Sequence, residues 1–282
     1  MIRLMSGVFV LLGILNSAVS AEPLAIAHRG LLRHAPENTL SSFAACLELR
    51  MGIELDIRTT SDGHLVVIHD DNLQRTTNGP SKSIRSLSLA EVKKLDAGSW
   101  FDIAYRNERV PTLEETFALI QKRKQGPTLI ALNVKQITRE GERTLIRLMD
   151  EYDMFGISFV FDQSDDVSKR LKQLDPRLLV GQNVSRSLIL GVLKEDFVDV
   201  FLLSDTPTET EVVKLHEHQK LALFNYAGAG DDRRSPVAWR QARAAGVDGM
   251  LTDYPTLCQQ FWRADKIQQA SSENKQKAGN TE

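Results

Sequence analysis

Eight short apolar runs recur along the chain, and stretches of helical periodicity lie between them. The runs span Leu24 to Ala27, Gly52 to Arg58, Thr128 to Val134, Ile157 to Phe161, Arg177 to Gly181, Val198 to Leu203, Lys220 to Phe224 and Val247 to Leu251. Helical patterns cover Thr39 to Leu49, Leu113 to Lys122, Arg139 to Glu151, Asp166 to Leu174, Arg186 to Lys194, Glu209 to Glu217 and Ser235 to Ala245. Strands that alternate with helices are joined by crossovers and pair in parallel. Eight is also the number that closes a (β/α)8 barrel, and the 282 residues suit a single barrel of roughly 250. The expected class is therefore α/β, a TIM barrel. An open doubly wound sheet is the rival; it usually carries G-x-G-x-x-G after its first strand, and the chain has none.

Three segments stand outside the rhythm. In residues 1–21, Arg3 precedes an apolar run from Val8 to Leu15 that ends in the small residues Ala18, Ser20 and Ala21. That pattern reads as a signal peptide, and the run is too short to span a bilayer. Export to a periplasm or out of the cell is expected, with no stable membrane anchor and a mature barrel over 22–263. Residues 264–282 are rich in Gln, Ser, Asn, Lys and Glu, with little to bury, and are expected to be a disordered tail. The third segment is an insertion after the second strand, about residues 70–111. It follows a hairpin signal, Thr60-Ser61-Asp62-Gly63 and then Leu65 to His69. An interval that long is usually functional, and in a barrel it stands at the catalytic end of the strand.

The chemistry collects at that end. Glu54 and Asp56 lie two apart on a strand and so point to one face, while Ile53, Leu55 and Ile57 fill the other. The apolar face must meet the helices, so both carboxylates look into the barrel. There they repel and lose solvation, and something positive must join them. A divalent cation held by hard oxygens is one answer; salt bridges to Arg29 or Lys135 are the other. His28 and His69 end adjacent β segments and suit acid and base work on a phosphoryl group. Arg29 presents a planar guanidinium for phosphate, or pairs with Glu37. A balance of 35 Lys+Arg against 37 Asp+Glu offers no basic surface for nucleic acid, so a small-molecule phosphodiester is the expected partner.

The ordered motifs His28-Arg29-Gly30, Glu37-Asn38-Thr39, Glu54-Leu55-Asp56, Thr60-x-Asp62-Gly63 and His69-Asp70 resemble those of the glycerophosphodiester phosphodiesterases. Arg75-Thr76-Thr77 and Leu95 to Phe101 are similar to that family's inserted subdomain. Asp248 to Pro255 is similar to its last strand. The resemblance runs from about Leu24 to Phe261. It implies a barrel like that of phosphatidylinositol phospholipase C, and hydrolysis of glycerophosphodiesters to an alcohol and glycerol 3-phosphate. His28 and His69 would be acid and base, and Glu54 and Asp56 would hold a divalent ion, Ca2+ or Mg2+. Arg29 and Lys135 would bind the phosphate.

Two positions depart from the family pattern. Where a third acidic ligand usually stands before the lysine of the third strand, this chain has Asn133, whose amide oxygen still suits a hard cation but brings no charge. On the seventh strand Phe224 replaces an aromatic, commonly tryptophan, that shapes the glycerol end of the pocket. These departures leave two rival readings: a barrel that binds phosphodiesters without cleaving them, and a phospholipase D-like enzyme acting on intact lipid. Cys46 on the first helix and Cys258 on the last would be neighbours in a closed barrel. They form either a disulfide across its seam or two buried thiols.

Overall fold

The structure, a computed structural model, describes residues 22–228 and 234–279, with side chains up to Ile267. The expected signal peptide lies outside the described residues. Nine strands occur among them: β1 (Leu24–Ala27), β2 (Gly52–Thr59), β3 (Leu65–Val67), β4 (Ile130–Val134), β5 (Ser158–Phe161), β6 (Leu179–Val184), β7 (Val200–Leu203), β8 (Leu221–Tyr226) and β9 (Gly249–Thr252). All but β3 are parallel, in the order β1-β9-β8-β7-β6-β5-β4-β2. Pairing of Ile26 with Gly52 and of Ala27 with Ile53 joins β2 back to β1 and closes the cylinder, so the eight-stranded TIM barrel is present. β3 runs antiparallel to the upper part of β2, through Ile57↔Val67 to Thr59↔Leu65, as the hairpin signal predicts.

Alternation along the strands sorts the side chains into two layers. Ile26, Leu129, Ala131, Phe159, Phe161, Val200, Leu202, Leu221, Leu223 and Leu251 fill the barrel. Phe159 has room there because Gly181 faces it; a Cβ at that position would lie 2.7 Å from the ring. The alternate residues meet the surrounding helices: α1 (Leu40–Glu48), α3 (Leu113–Arg123), α4 (Arg139–Glu151), α5 (Asp166–Leu174), α7 (Glu209–Glu217), α8 (Pro236–Ala244) and α9 (Pro255–Gly279). Helix starts follow capping chemistry. Thr112 and Glu115 form a reciprocal box that begins α3 where the insertion ends, and Thr208 and Glu211 do the same for α7. The helix expected over 186–194 is shorter, a 3-10 turn (Arg186–Leu188) followed by α6 (Ile189–Val192).

The insertion carries its own small core of Val66, Ile68, Leu73, Ile84, Leu87, Val92, Ala97 and Val110, with α2 (Leu89–Val92) inside it. It is tied to the β1 loop by Tyr105, whose hydroxyl donates to the His34 carbonyl at 3.0 Å.

Two expectations change. Cys46 and Cys258 are free, fully buried thiols. Cys46 packs with Phe43 and Leu47 on one flank of β1, and Cys258 packs with Trp239 and Trp262 in a separate cluster. Burial holds both thiols well above the ordinary range, Cys46 at about 12. The tail expected to be disordered is helical backbone as far as Gly279, a continuation of α9. Its Gln, Ala, Lys and Glu residues are good helix formers, and no proline interrupts them.

Candidate active site

The turn after β1 is built to place two residues. Gly30 has φ +81°, and a Cβ there would lie 2.3 Å from Ser42 Oγ, the atom that accepts from the Leu31 amide at 2.8 Å. Arg29 itself is left-handed, at φ 55°. In that conformation its backbone N–H points at Glu54 and donates to Oε2 at 2.9 Å. Its guanidinium reaches between two acids, donating to Glu37 Oε1 at 3.1 Å with Nε 3.6 Å from Asp56 Oδ2.

Glu54 and Asp56 both point into the barrel and are fully buried, as their spacing predicts. Glu54 Oε1 also accepts from Asn133 Nδ2 at 3.3 Å. Asp56 Oδ2 accepts from Asn38 Nδ2 at 2.9 Å, and Lys135 Nζ lies 3.5 Å from Oδ1. Oδ1 has no hydrogen-bond partner, and neither has Arg29 Nε. Thus the salt bridges weighed against a metal are both present but loose, and a buried carboxylate oxygen stays orphaned. Burial first, and then the charge of Asp56, push the Glu54 carboxyl up to about 7. The cations beside these buried acids, Arg29 and Lys135, stand at 3.6 and 3.5 Å from Asp56 and leave its Oδ1 without a hydrogen bond. The carboxylate oxygens of Glu54 and Asp56 are hard donors that suit a divalent cation, whereas Asn133 turns its Nδ2 rather than its oxygen toward Glu54. The acidic set is small: among the described residues no group of three or more His, Cys, Asp or Glu gathers as a metal cluster.

The histidines flank this pair in different settings. His28 Nδ1 lies 2.6 Å from Asp253 Oδ1, and Nε2 lies 4.0 Å from Glu54 Oε2. Burial disfavours its imidazolium, but the Asp253 hydrogen bond and the Glu54 charge outweigh that and hold its pKa above the ordinary value. His69 Nδ1 lies 2.6 Å from Asp70 Oδ1. Here burial prevails. The Asp56 charge and the Asp70 hydrogen bond oppose it, Arg29 and Lys135 reinforce it, and the pKa falls below the ordinary value. Arg75, by its hydrogen bonds, holds Asp70 well below the usual carboxylate range. That arginine donates to Asp70 Oδ2 at 2.6 Å and to both Glu37 oxygens at 2.8 Å, so it staples the insertion to the β1 turn.

His28, Arg29, Glu54, Asp56, His69, Asn133 and Lys135 therefore converge at one end of the barrel. Phe224 does not. It is 1% exposed and packs outward with Phe201, Trp239 and Met250 against the helices, stacked on Tyr226 at 5.0 Å. Strand alternation gives the inward position to Asn225, which donates to Asn183 Oδ1 on β6 at 2.8 Å. Asp253 and Arg75 lie in motifs that carry the resemblance, but the sequence assigns neither a role in the site. Asp253 continues the inward series Gly249, Leu251 of β9, and closure sets that strand beside β1. That parity is the signal that would have found it.

The glycerophosphoryl diester phosphodiesterase family model matches residues 28–257. A glycerophosphodiester phosphodiesterase of Caldanaerobacter subterraneus is 35% identical over 242 residues, covering 82% of this chain and 94% of that protein. One from Bacillus subtilis is 29% identical over 259 residues, covering 83% and 84%. Among solved structures, an Oleispira antarctica phosphodiesterase in complex with the product sn-glycerol-3-phosphate is 26% identical, with a TM-score of 0.72 over 85% of this chain and 96% of that one. With the match spanning the β1 turn, the paired acids, both histidines and Asp253, the chain belongs to the glycerophosphoryl diester phosphodiesterase family.

Proposed function

We propose that this chain hydrolyses glycerophosphodiesters to an alcohol and glycerol 3-phosphate, with His28 as general acid and His69 as general base. The observation that carries the reading is the placing of two imidazoles, each held at Nδ1 by a carboxylate, beside one pair of buried acids; their opposite pKa displacements favour His28 as the acid and His69 as the base. Asp70 is ionised and can only accept, so His69 carries its proton on Nδ1 and leaves the Nε2 lone pair free. His69 takes the proton of the attacking group, which is either a water, giving glycerol 3-phosphate directly, or the substrate's own neighbouring hydroxyl, giving a cyclic phosphate that a water then opens to glycerol 3-phosphate. The Asp253 hydrogen bond and the Glu54 charge favour the doubly protonated form of His28. Nδ1–H is held by Asp253, so Nε2–H is the proton given to the departing alcohol. Arg29 and Lys135 lie beside Asp56 with donor capacity to spare, and they orient the phosphate. Glu54 and Asp56 would hold a divalent cation, Ca2+ or Mg2+. Once bound, it would neutralise charge on a non-bridging phosphate oxygen.

Export to a periplasm or beyond, from the pattern in residues 1–21, completes the proposal. Among the described residues no helix is long and apolar enough to cross a membrane. The test is release of glycerol 3-phosphate from glycerophosphocholine and glycerophosphoethanolamine, with calcium or magnesium and with a chelator. Metal-dependent release is expected. A folded protein that releases nothing with any metal would overturn the hydrolytic reading and favour a barrel that only binds diesters.

A further inference from the structure

Outside the catalytic mouth, a groove of about 600 Å³ runs along the seam between α1 and α9. Its upper end holds Arg33, Arg234 and Tyr254. The Arg33 guanidinium lies 4.8 Å from the Tyr254 ring centroid and that of Arg234 lies 5.5 Å away. Neither guanidinium has a carboxylate within ion-pair distance or a hydrogen bond to any described group, whereas most arginines of this barrel are paired. A guanidinium over an aromatic ring keeps its N–H edges free for a planar or tetrahedral anion. Below this cationic end the wall is apolar. Leu31 forms the inner side, and Leu257 and Leu49 lie along the seam, 44% and 41% exposed. Leu49 directly follows α1, and Thr256, Leu257 and Gln260 of α9 complete the lining.

A slot with two cations that have no carboxylate partner among the described residues at one end, and leucines along its wall, is complementary in charge and shape to one class of ligand. We infer that the seam between α1 and α9 binds a single-chain anionic amphiphile, its head group on Arg33 and Arg234 and its chain along Leu31, Leu257 and Leu49. Long apolar chains need burial, and the paired head-group charges fix the direction in which the chain enters. A small phosphate ester without a chain would use only the cationic end. A cationic amphiphile would be repelled from it. The site is separate from the mouth, since none of its residues belongs to the pair of buried acids or to either histidine.

Dodecyl phosphate, kept below its micellar concentration, tests this by calorimetric titration of the full mature chain. The expected result is a dissociation constant at least tenfold below that of inorganic phosphate, and no displacement by saturating glycerol 3-phosphate. The double variant Arg33→Gln, Arg234→Gln should lose at least tenfold in affinity, as should Leu257→Asp. Both should release glycerol 3-phosphate from glycerophosphocholine at wild-type rates. Displacement by glycerol 3-phosphate would overturn the inference, because the probe would then sit in the mouth. So would equal affinity for inorganic phosphate and dodecyl phosphate, or tight binding retained in both variants. A concentration-dependent dimer in light scattering that Leu257→Asp abolishes would also overturn it, by assigning the seam to a second copy of the chain.

Discussion

The barrel mouth has two unlike sectors. β1, β2, β4, β9 and the inserted hairpin supply His28, Glu54, Asp56, His69, Asn133, Lys135 and Asp253, nearly all titratable and tied into one hydrogen-bonded network. β5 to β8 supply Phe161, Asn183, Leu202 and Asn225, with one amide-to-amide hydrogen bond. The backbone is the same in both. The difference shows how a closed sheet hosts buried charge: it confines the charge to one arc, where each ion has a counter-ion or N–H donor, and packs the rest with neutral groups. The insertion stands on the charged arc because Arg75 must reach both Glu37 and Asp70.

That division can be broken by experiment. The largest expected effect is on turnover. His28→Ala and His69→Ala should each lower kcat for glycerol 3-phosphate release by about 10²–10⁴, with the circular dichroism spectrum unchanged. Asn225→Ala on the neutral arc should change mainly KM, by less than about tenfold. Wild-type turnover in either histidine variant would erase the distinction between the arcs. Next in size, Phe224→Ala should destabilise the fold by about 3–5 kcal/mol in a denaturant titration, through the cavity left in the helix layer. KM should not move; a large change in KM with little loss of stability would return Phe224 to the pocket.

A third effect concerns the acids themselves. Glu54 has its carboxyl raised from an ordinary 4.5 to about 7, so between those values the folded state binds more protons than the unfolded one. Stability of the metal-free protein should therefore decline as pH rises through that window, by about 3 kcal/mol as an order of magnitude, and then level off. A bound cation removes this penalty. Calcium or magnesium should raise the melting temperature more at pH 8 than at pH 5, relative to a chelator. An equal gain at both would mean that the cation does not meet Glu54.

The smallest effect sharpens the contrast between the two histidines. Activity should rise as pH climbs through the lowered pKa of His69 and fall as it climbs through the raised pKa of His28. Asp253→Asn removes the group that raises His28 most, so the alkaline limb should move to lower pH while the acid limb holds. Movement of both limbs together would show that the pair titrates as one unit.

Much of the charged arc is legible in the chain because it depends on short-range rules. Two-residue spacing turns Glu54 and Asp56 to one face, and the apolar character of Ile53, Leu55 and Ile57 says which face that is. Phe224 was misplaced by the same rule applied to a likeness in residue type: on β8 the inward parity belongs to Leu223 and Asn225. The roles of Asp253 and Arg75 are not legible in the chain because their partners are distant in sequence, 225 and 38 residues away.

The sequence by itself determined the barrel, its insertion, the inward acids and the arc that holds them, since periodicity and turn chemistry act over a few residues. Tertiary structure alone decided which imidazole has its pKa raised and which lowered, because that rests on burial and on Asp253 and Asp70. It also left both cysteines as thiols: they are buried in different clusters, and adjacency of two helices around a barrel does not bring two chosen side chains together. Local rules set the direction in which a side chain points. Only the closed sheet sets what it meets there, and the protonation of each group follows from that meeting.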